Sequence, residues 1–248
     1  MRWSRLVRSE LRKLTTTKMP WAFLAVAVVF AAINATAVVF GTDMDGSKAF
    51  IATAADQQSL MAFASNAMMI AGLFGAIAVA REYGHHTVVP TFLAVPRRHR
   101  AVLAQLTAVC AGGGLFGLVG AALTVAAVAL SLPTTDYGFL VPAGDVVQVI
   151  AAAAVSGAAG AVLGAGIGAS IRNTGGAVTG AFLMLIVAPP LLVQLVNDAG
   201  SWVPATLTAV LSGVGTEVGV PAALAALTAW ALVPAAIGLI VVEKRDVI

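Results

Sequence analysis

The chain has 248 residues, of which 60% are hydrophobic and only 10% charged, and its mean hydropathy is +0.96. A soluble domain carries about 25% charged residues, so this composition excludes one and points to the membrane. The net charge of +3 calls for no nucleic acid, because positive charge held on one membrane face and meeting anionic lipid accounts for it.

In chain order, residues 1–18 come first. At 100° per residue Trp3, Leu6, Val7, Leu11 and Leu14 share one arc, and Arg2, Arg5, Arg8, Arg12 and Lys13 the opposite one. This predicts an amphipathic helix lying flat at the membrane interface. Glu10 breaks the pattern by pointing into the apolar arc, so it either reaches an adjacent Arg or contacts another protein.

Six apolar runs follow, at about 20–40, 58–80, 101–131, 146–171, 176–197 and 219–242. Each is long enough to cross roughly 30 Å of hydrocarbon as a helix, and none alternates at period two as a barrel strand would. The expected class is therefore an all-α integral membrane protein of one transmembrane domain, residues 1–248. Ala35-Thr36-Ala37 looks like a signal-cleavage site. The long basic region before it and the five spans after it favour an uncleaved first span.

Small residues mark how the spans pack. Gly113 and Gly117, and Gly160, Gly164 and Gly168, recur every four residues, a spacing that lets helix backbones approach closely in lipid. Packing inside one subunit and a dimer face are both compatible with it. Pro189-Pro190 should kink or break the fifth span and Pro234 the sixth. Residues 202–214, with Leu207, Val210, Leu211 and Val214 behind Trp202 and Pro204, read as a short helix within a 198–218 segment at the outer leaflet.

Charge sets the orientation. Thirteen of the fourteen basic residues precede span one, lie between spans two and three or four and five, or follow span six. The other side keeps Lys48 with Asp43, Asp45, Asp56, Asp136, Asp145, Asp198 and Glu217. By the positive-inside rule both termini are cytoplasmic. Cys110 is alone, so no disulfide framework exists.

Several chemistries fail on the residues. The stretch 41–48 outlines a phosphate loop but ends Gly-Ser-Lys, and Asp43, Asp45 and Gly46 misplace the glycine of a calcium loop. Glu82 and His85 make one Glu-x-x-His where bridged metal sites need two, and adjacent His85 and His86 diverge on a helix. No His lies in a span, which argues against an intramembrane hydrolase. No ionisable group lies near a span centre, which argues against a proton-driven pump. Whatever drives the protein comes from outside the chain.

Residues 81–100, REYGHHTVVPTFLAVPRRHR, interrupt the apolar chain with four of the basic residues, all three His and two Pro. The run Glu82-Tyr83, His85, Thr87, Thr91-Phe92-Leu93 and Pro96-Arg97-Arg98 resembles the first intracellular loop of ABC-2 type transporter permeases. Residues 9–21, SELRKLTTTKMPW, resemble that family's leading segment, with Glu10 and Lys13 at the matching places. The chain departs from the pattern in two places. Gly84-His85-His86-Thr87 stands where Arg-His-Gly-Thr is frequent, and Gln105 stands where a Lys is common.

The resemblance implies the membrane subunit of a bacterial ATP-driven exporter in the cytoplasmic membrane. It is not itself an enzyme. ATP and Mg would sit on a separate ATPase subunit, and a second permease chain would complete a homodimer or heterodimer. The 81–100 loop would be a coupling helix docked on the ATPase, with Phe92-Leu93 as anchor and Pro90 and Pro96 stiffening its ends. In that family the pathway is lined by spans one, two and five, whose polar residues here are Asn34, Asn66 and Gln194. Interhelical hydrogen bonds are the alternative role for those three. Walls of few charges favour an amphipathic, lipid-like or drug-like cargo. The alternative function is a non-transporting scaffold or immunity protein that binds a partner through the same loop. A stand-alone channel would need a charge ring or filter that the chain lacks.

Overall fold

A computed structural model describes residues 3–44, 46–64, 67–84, 87–88, 90–91, 95, 98–196, 198–215 and 217–244; for 63 and 64 the backbone alone is described. Among these no residue is in a strand. Among the described residues six helices are long and apolar enough to cross a membrane. They are α2 (Met19–Phe40), the pair α3 (Ala54–Ala64) and α4 (Ala67–Gly84), α5 (Arg98–Ser131), α6 (Ala143–Ile171), a composite fifth helix, and α10 (Val220–Lys244). The fifth joins α7 (Thr174–Phe182), a π-helical segment Leu183–Val187 and α8 (Ala188–Leu195). A leading helix α1 (Trp3–Thr15) and a short helix α9 (Pro204–Leu211) complete the set.

The bundle is organised around α6, which packs against α4, α5 and α10. The cause is backbone exposure at glycine. A Cβ on Gly117 would overlap the Ala153 carbonyl, one on Gly160 the Met68 carbonyl and one on Gly164 the Gly72 carbonyl. These four-residue repeats are therefore spent on packing inside one chain. Lipid offers no hydrophobic drive between helices, so close backbone contact is what holds them together. Phe23, Phe74 and Phe116 then tie α2, α4 and α5 with centroid separations of 5.5, 6.0 and 4.8 Å.

At 34 residues α5 is about 51 Å long, some 20 Å more than hydrocarbon requires. Its first turns carry α1. Leu6 packs with Ala101 and Ala104, while Leu14 packs on the cluster that contains Val109 and Phe74. Along the same helix Phe23 of α2 meets Phe116, and Ala27 approaches Gly120. Helix α1 thus runs alongside α5 in the same sense as α2. Of the apolar arc of α1, Leu6 is buried and Val7 and Leu14 half-buried against their own chain, while Trp3 and Leu11 stay exposed.

The prolines act differently from one another. Pro189 and Pro190 lack the donors that α-helical carbonyls four residues back require, and the helix answers by widening rather than breaking. The backbone N–H of Ala188 donates to the Leu183 carbonyl, five residues back. Pro234 lies inside an uninterrupted α10, with Gly166 of α6 pressed against it.

The end of the bundle opposite α1 is closed by polar side chains. Lys48 Nζ donates to the Val38 and Val39 carbonyls at 3.0 and 2.6 Å, capping α2 and matching the negative end of its dipole. Thr53 and Asp56 form a capping box at the start of α3. Gln57 is fully buried. Its amide donates to the Ile51 and Gly138 carbonyls, and its carbonyl oxygen accepts from Leu140 N at 2.9 Å. Gln58 and Gln148 donate to the Ser212 and Leu211 carbonyls, and Trp230 Nε1 donates to the Trp202 carbonyl, fastening the α9 segment.

Candidate functional site

At the α1 end, a charged cluster is closed in by apolar packing. Glu10 and Lys13 lie one helical turn apart on α1, and Leu6 and Leu14 anchor that face against α5. Glu82 sits in the last turn of α4. Lys13 Nζ donates to Glu10 Oε1 at 2.8 Å and lies 3.4 and 3.5 Å from the two Glu82 oxygens. It also donates to Thr91 Oγ1 at 3.3 Å. Glu10 and Glu82 are only 6% and 7% exposed.

One ammonium therefore serves two buried carboxylates. Burial by itself would lower the Lys13 pKa, but the charge of Glu82 and the hydrogen bond and charge of Glu10 outweigh it and raise the pKa above its ordinary 10.5. Lys13 stays protonated through the neutral range. Glu10, placed by the sequence against the apolar arc, pairs with Lys13 of its own helix.

The polar stretch is tied in from the other side. Thr87 Oγ1 donates to the Glu82 carbonyl, and Thr91 Oγ1 to the Thr87 carbonyl, each at 3.3 Å. Tyr83 is buried with the Arg172 guanidinium 5.3 Å over its ring, and that same guanidinium donates to the Val241 carbonyl. Arg172 itself holds a left-handed conformation as the α6 C-cap, φ 59°. His99 Nδ1, next to Arg98 at the start of α5, lies 3.5 Å from Glu243 of α10. The ends of α1, α4, α5, α6 and α10 thus converge on one region. Of the residues singled out in the sequence, Glu10, Lys13 and Glu82 are brought together. Thr87 and Tyr83 adjoin them. Arg98 starts α5, while His85, Phe92, Leu93, Pro96 and Arg97 lie outside the described residues.

The second feature is an apolar groove of about 780 Å³ between α3–α4, the π segment with α8, and α9. Its walls include Met68, Met69, Leu185, Pro189, Val203 and Pro204. Two hydroxyls, Ser59 and Thr208, reach it, and that of Thr208 already donates to the Pro204 carbonyl. Leu185 and Ile186 of the π segment line this space.

Of the candidate pathway amides, Asn34 and Gln194 lie outside this groove. Asn34 is buried and donates to the Phe30 carbonyl of its own helix at 2.8 Å. Gln194 is exposed and does not line the groove. Asn66 lies outside the described residues. The described lining of the groove includes Met68-Met69 and Pro189-Pro190. The proline pair was its one legible signal. The buried Gln57 was missed because a glutamine opening an apolar run looks like a solvated helix start.

No protein-family model and no curated protein matches the chain.

Proposed function

We propose that the chain is the membrane subunit of an ATP-driven exporter of the ABC-2 type, acting as a dimer with a separate ATPase in a bacterial cytoplasmic membrane. ATP and Mg belong to the ATPase, which grips the 81–100 stretch on the cytoplasmic side. The observation that carries this reading is the Lys13 ammonium, which joins α1, the end of α4 and Thr91 of the polar stretch. A push on that stretch then reaches two elements together.

Helix α4 suits transmission. Its small residues lie directly on the α6 backbone, so little side-chain compliance separates the two helices. Its far end supplies Met68 and Met69 to the groove, fourteen residues or about 21 Å from Glu82. The nearly uncharged groove favours an amphipathic or lipid-like cargo, and its two flexible methionine side chains suit a range of shapes.

The test is capture of the tagged chain from native membranes, with mass spectrometry of what accompanies it, beside the Glu82→Ala variant. A nucleotide-hydrolysing subunit recovered with the wild type and reduced with the variant is the expected result. Cargo movement across vesicles by the purified chain alone would sink the reading.

A further inference from the structure

We infer that the exposed ridge of α1, formed by Arg5, Arg8 and Arg12, is a docking site for the headgroups of anionic phospholipids. Helix α1 divides its residues among three faces. Leu6 and Glu10 turn inward and are buried. Lys13 stands at the edge of that face, committed to Glu10 and Glu82. Arg5, Arg8 and Arg12, spaced three and four apart, stand outward together and are exposed. Among the described residues none of the three forms an ion pair.

The ridge is shaped as well as charged. Arg5, Arg8, Ser9, Arg12, Lys13 and Thr16 line a concavity of about 440 Å³. Three guanidinium groups around one hollow suit a phosphodiester, whose oxygens accept charge-assisted bonds from several donors.

Position selects lipid over a soluble partner. Helix α1 ends at Thr15, four residues before α2 begins its membrane-length run at Met19. In the first turn of α2, Trp21 is 68% exposed, as a side chain at the headgroup level would be. The last turn of α1, with Arg12, is therefore within a few residues of the level expected for lipid headgroups. Leu11, adjoining Arg8 around the helix, remains exposed and gives the ridge an apolar flank.

The experiment uses the full chain purified in detergent, equilibrated with equal amounts of phosphatidylglycerol and phosphatidylcholine, and reads retained lipid by native mass spectrometry. Wild type should retain phosphatidylglycerol preferentially, and added salt should weaken the preference. The R5Q/R8Q/R12Q variant should lose about fivefold in affinity per arginine, about a hundredfold together, from the usual strength of a basic residue at an anionic surface. R5K/R8K/R12K, which keeps the charge, should stay within about threefold and so reports that the fold survives changes on this face. A glutamine variant that binds like wild type would overturn the inference, as would equal retention of phosphatidylcholine. Displacement of the lipid by inorganic phosphate would instead mark a free-anion site. Loss of a co-purifying soluble protein with lipid retention unchanged would mark a protein-docking site. The readout needs neither ATPase nor transport, so it stands or falls apart from the exporter reading.

Discussion

Replacing Lys13 with Met keeps the length and apolar stem of the side chain and removes its charge, leaving Glu10 and Glu82 buried side by side without their shared cation. At the observed 2.8 and 3.4 Å, each attraction is about 5–6 kcal/mol for an effective dielectric near 20, before desolvation and carboxylate repulsion are subtracted. Deleting one member of a buried ion pair costs about 3–5 kcal/mol. The Lys13 side chain is 36% exposed, so screening brings the expected loss down to about 2–3 kcal/mol. The assay is reversible unfolding of the intact chain in mixed micelles, followed by circular dichroism. Lys13→Met should be destabilised by that amount. The triple variant E10Q/K13M/E82Q, which removes the stranded charges, should recover most of it. A single variant within about 0.5 kcal/mol of wild type, or a triple variant no better than the single, would refute the shared-cation argument.

The same lysine carries a pH prediction. Its folded-state pKa is raised above 10.5, so its contribution is fully present below that value and is lost as pH rises through the folded pKa. Unfolding titrations of wild type and Lys13→Met should therefore keep their separation through the neutral range and converge only as pH rises through the raised folded-state pKa. Gly164→Val should cost at least about 3 kcal/mol, because its Cβ would occupy the Gly72 carbonyl and the obstacle is backbone; the unfolding midpoint measures it. Gln57→Leu strands the Ile51 and Gly138 carbonyls and the Leu140 amide and should cost about 2–4 kcal/mol, with faster hydrogen exchange near Leu140.

Much of the bundle was legible because lipid leaves few choices. A run such as 219–242, apolar all round and longer than 20 residues, has one way to satisfy its backbone, and it became Val220–Lys244. Helix α1 shows where such reading stops. Its wheel revealed an apolar arc, but which of its residues meet protein was not legible, and it is Leu6, Val7 and Leu14 that pack on the chain while Trp3 and Leu11 stay exposed. Pro189-Pro190 announced a disturbance, yet whether a helix kinks, breaks or widens depends on which carbonyls its neighbours leave in need.

The candidate site divides along the same line. Glu10, Lys13 and Glu82 stood out singly, as charges at odds with apolar surroundings. Glu82 is 69 positions from Lys13 along the chain, and no local pattern measures that distance in space. The sequence by itself determined the six membrane-length helices and the glycine seams, since both follow from helix period and from the cost of an unpaired amide in hydrocarbon. Only the tertiary structure decided that one ammonium holds two carboxylates from different helices, and that Met68-Met69 and Pro189-Pro190 face one groove. Those outcomes depend on how helices face one another, which hydropathy, blind to rotation and partner, does not encode.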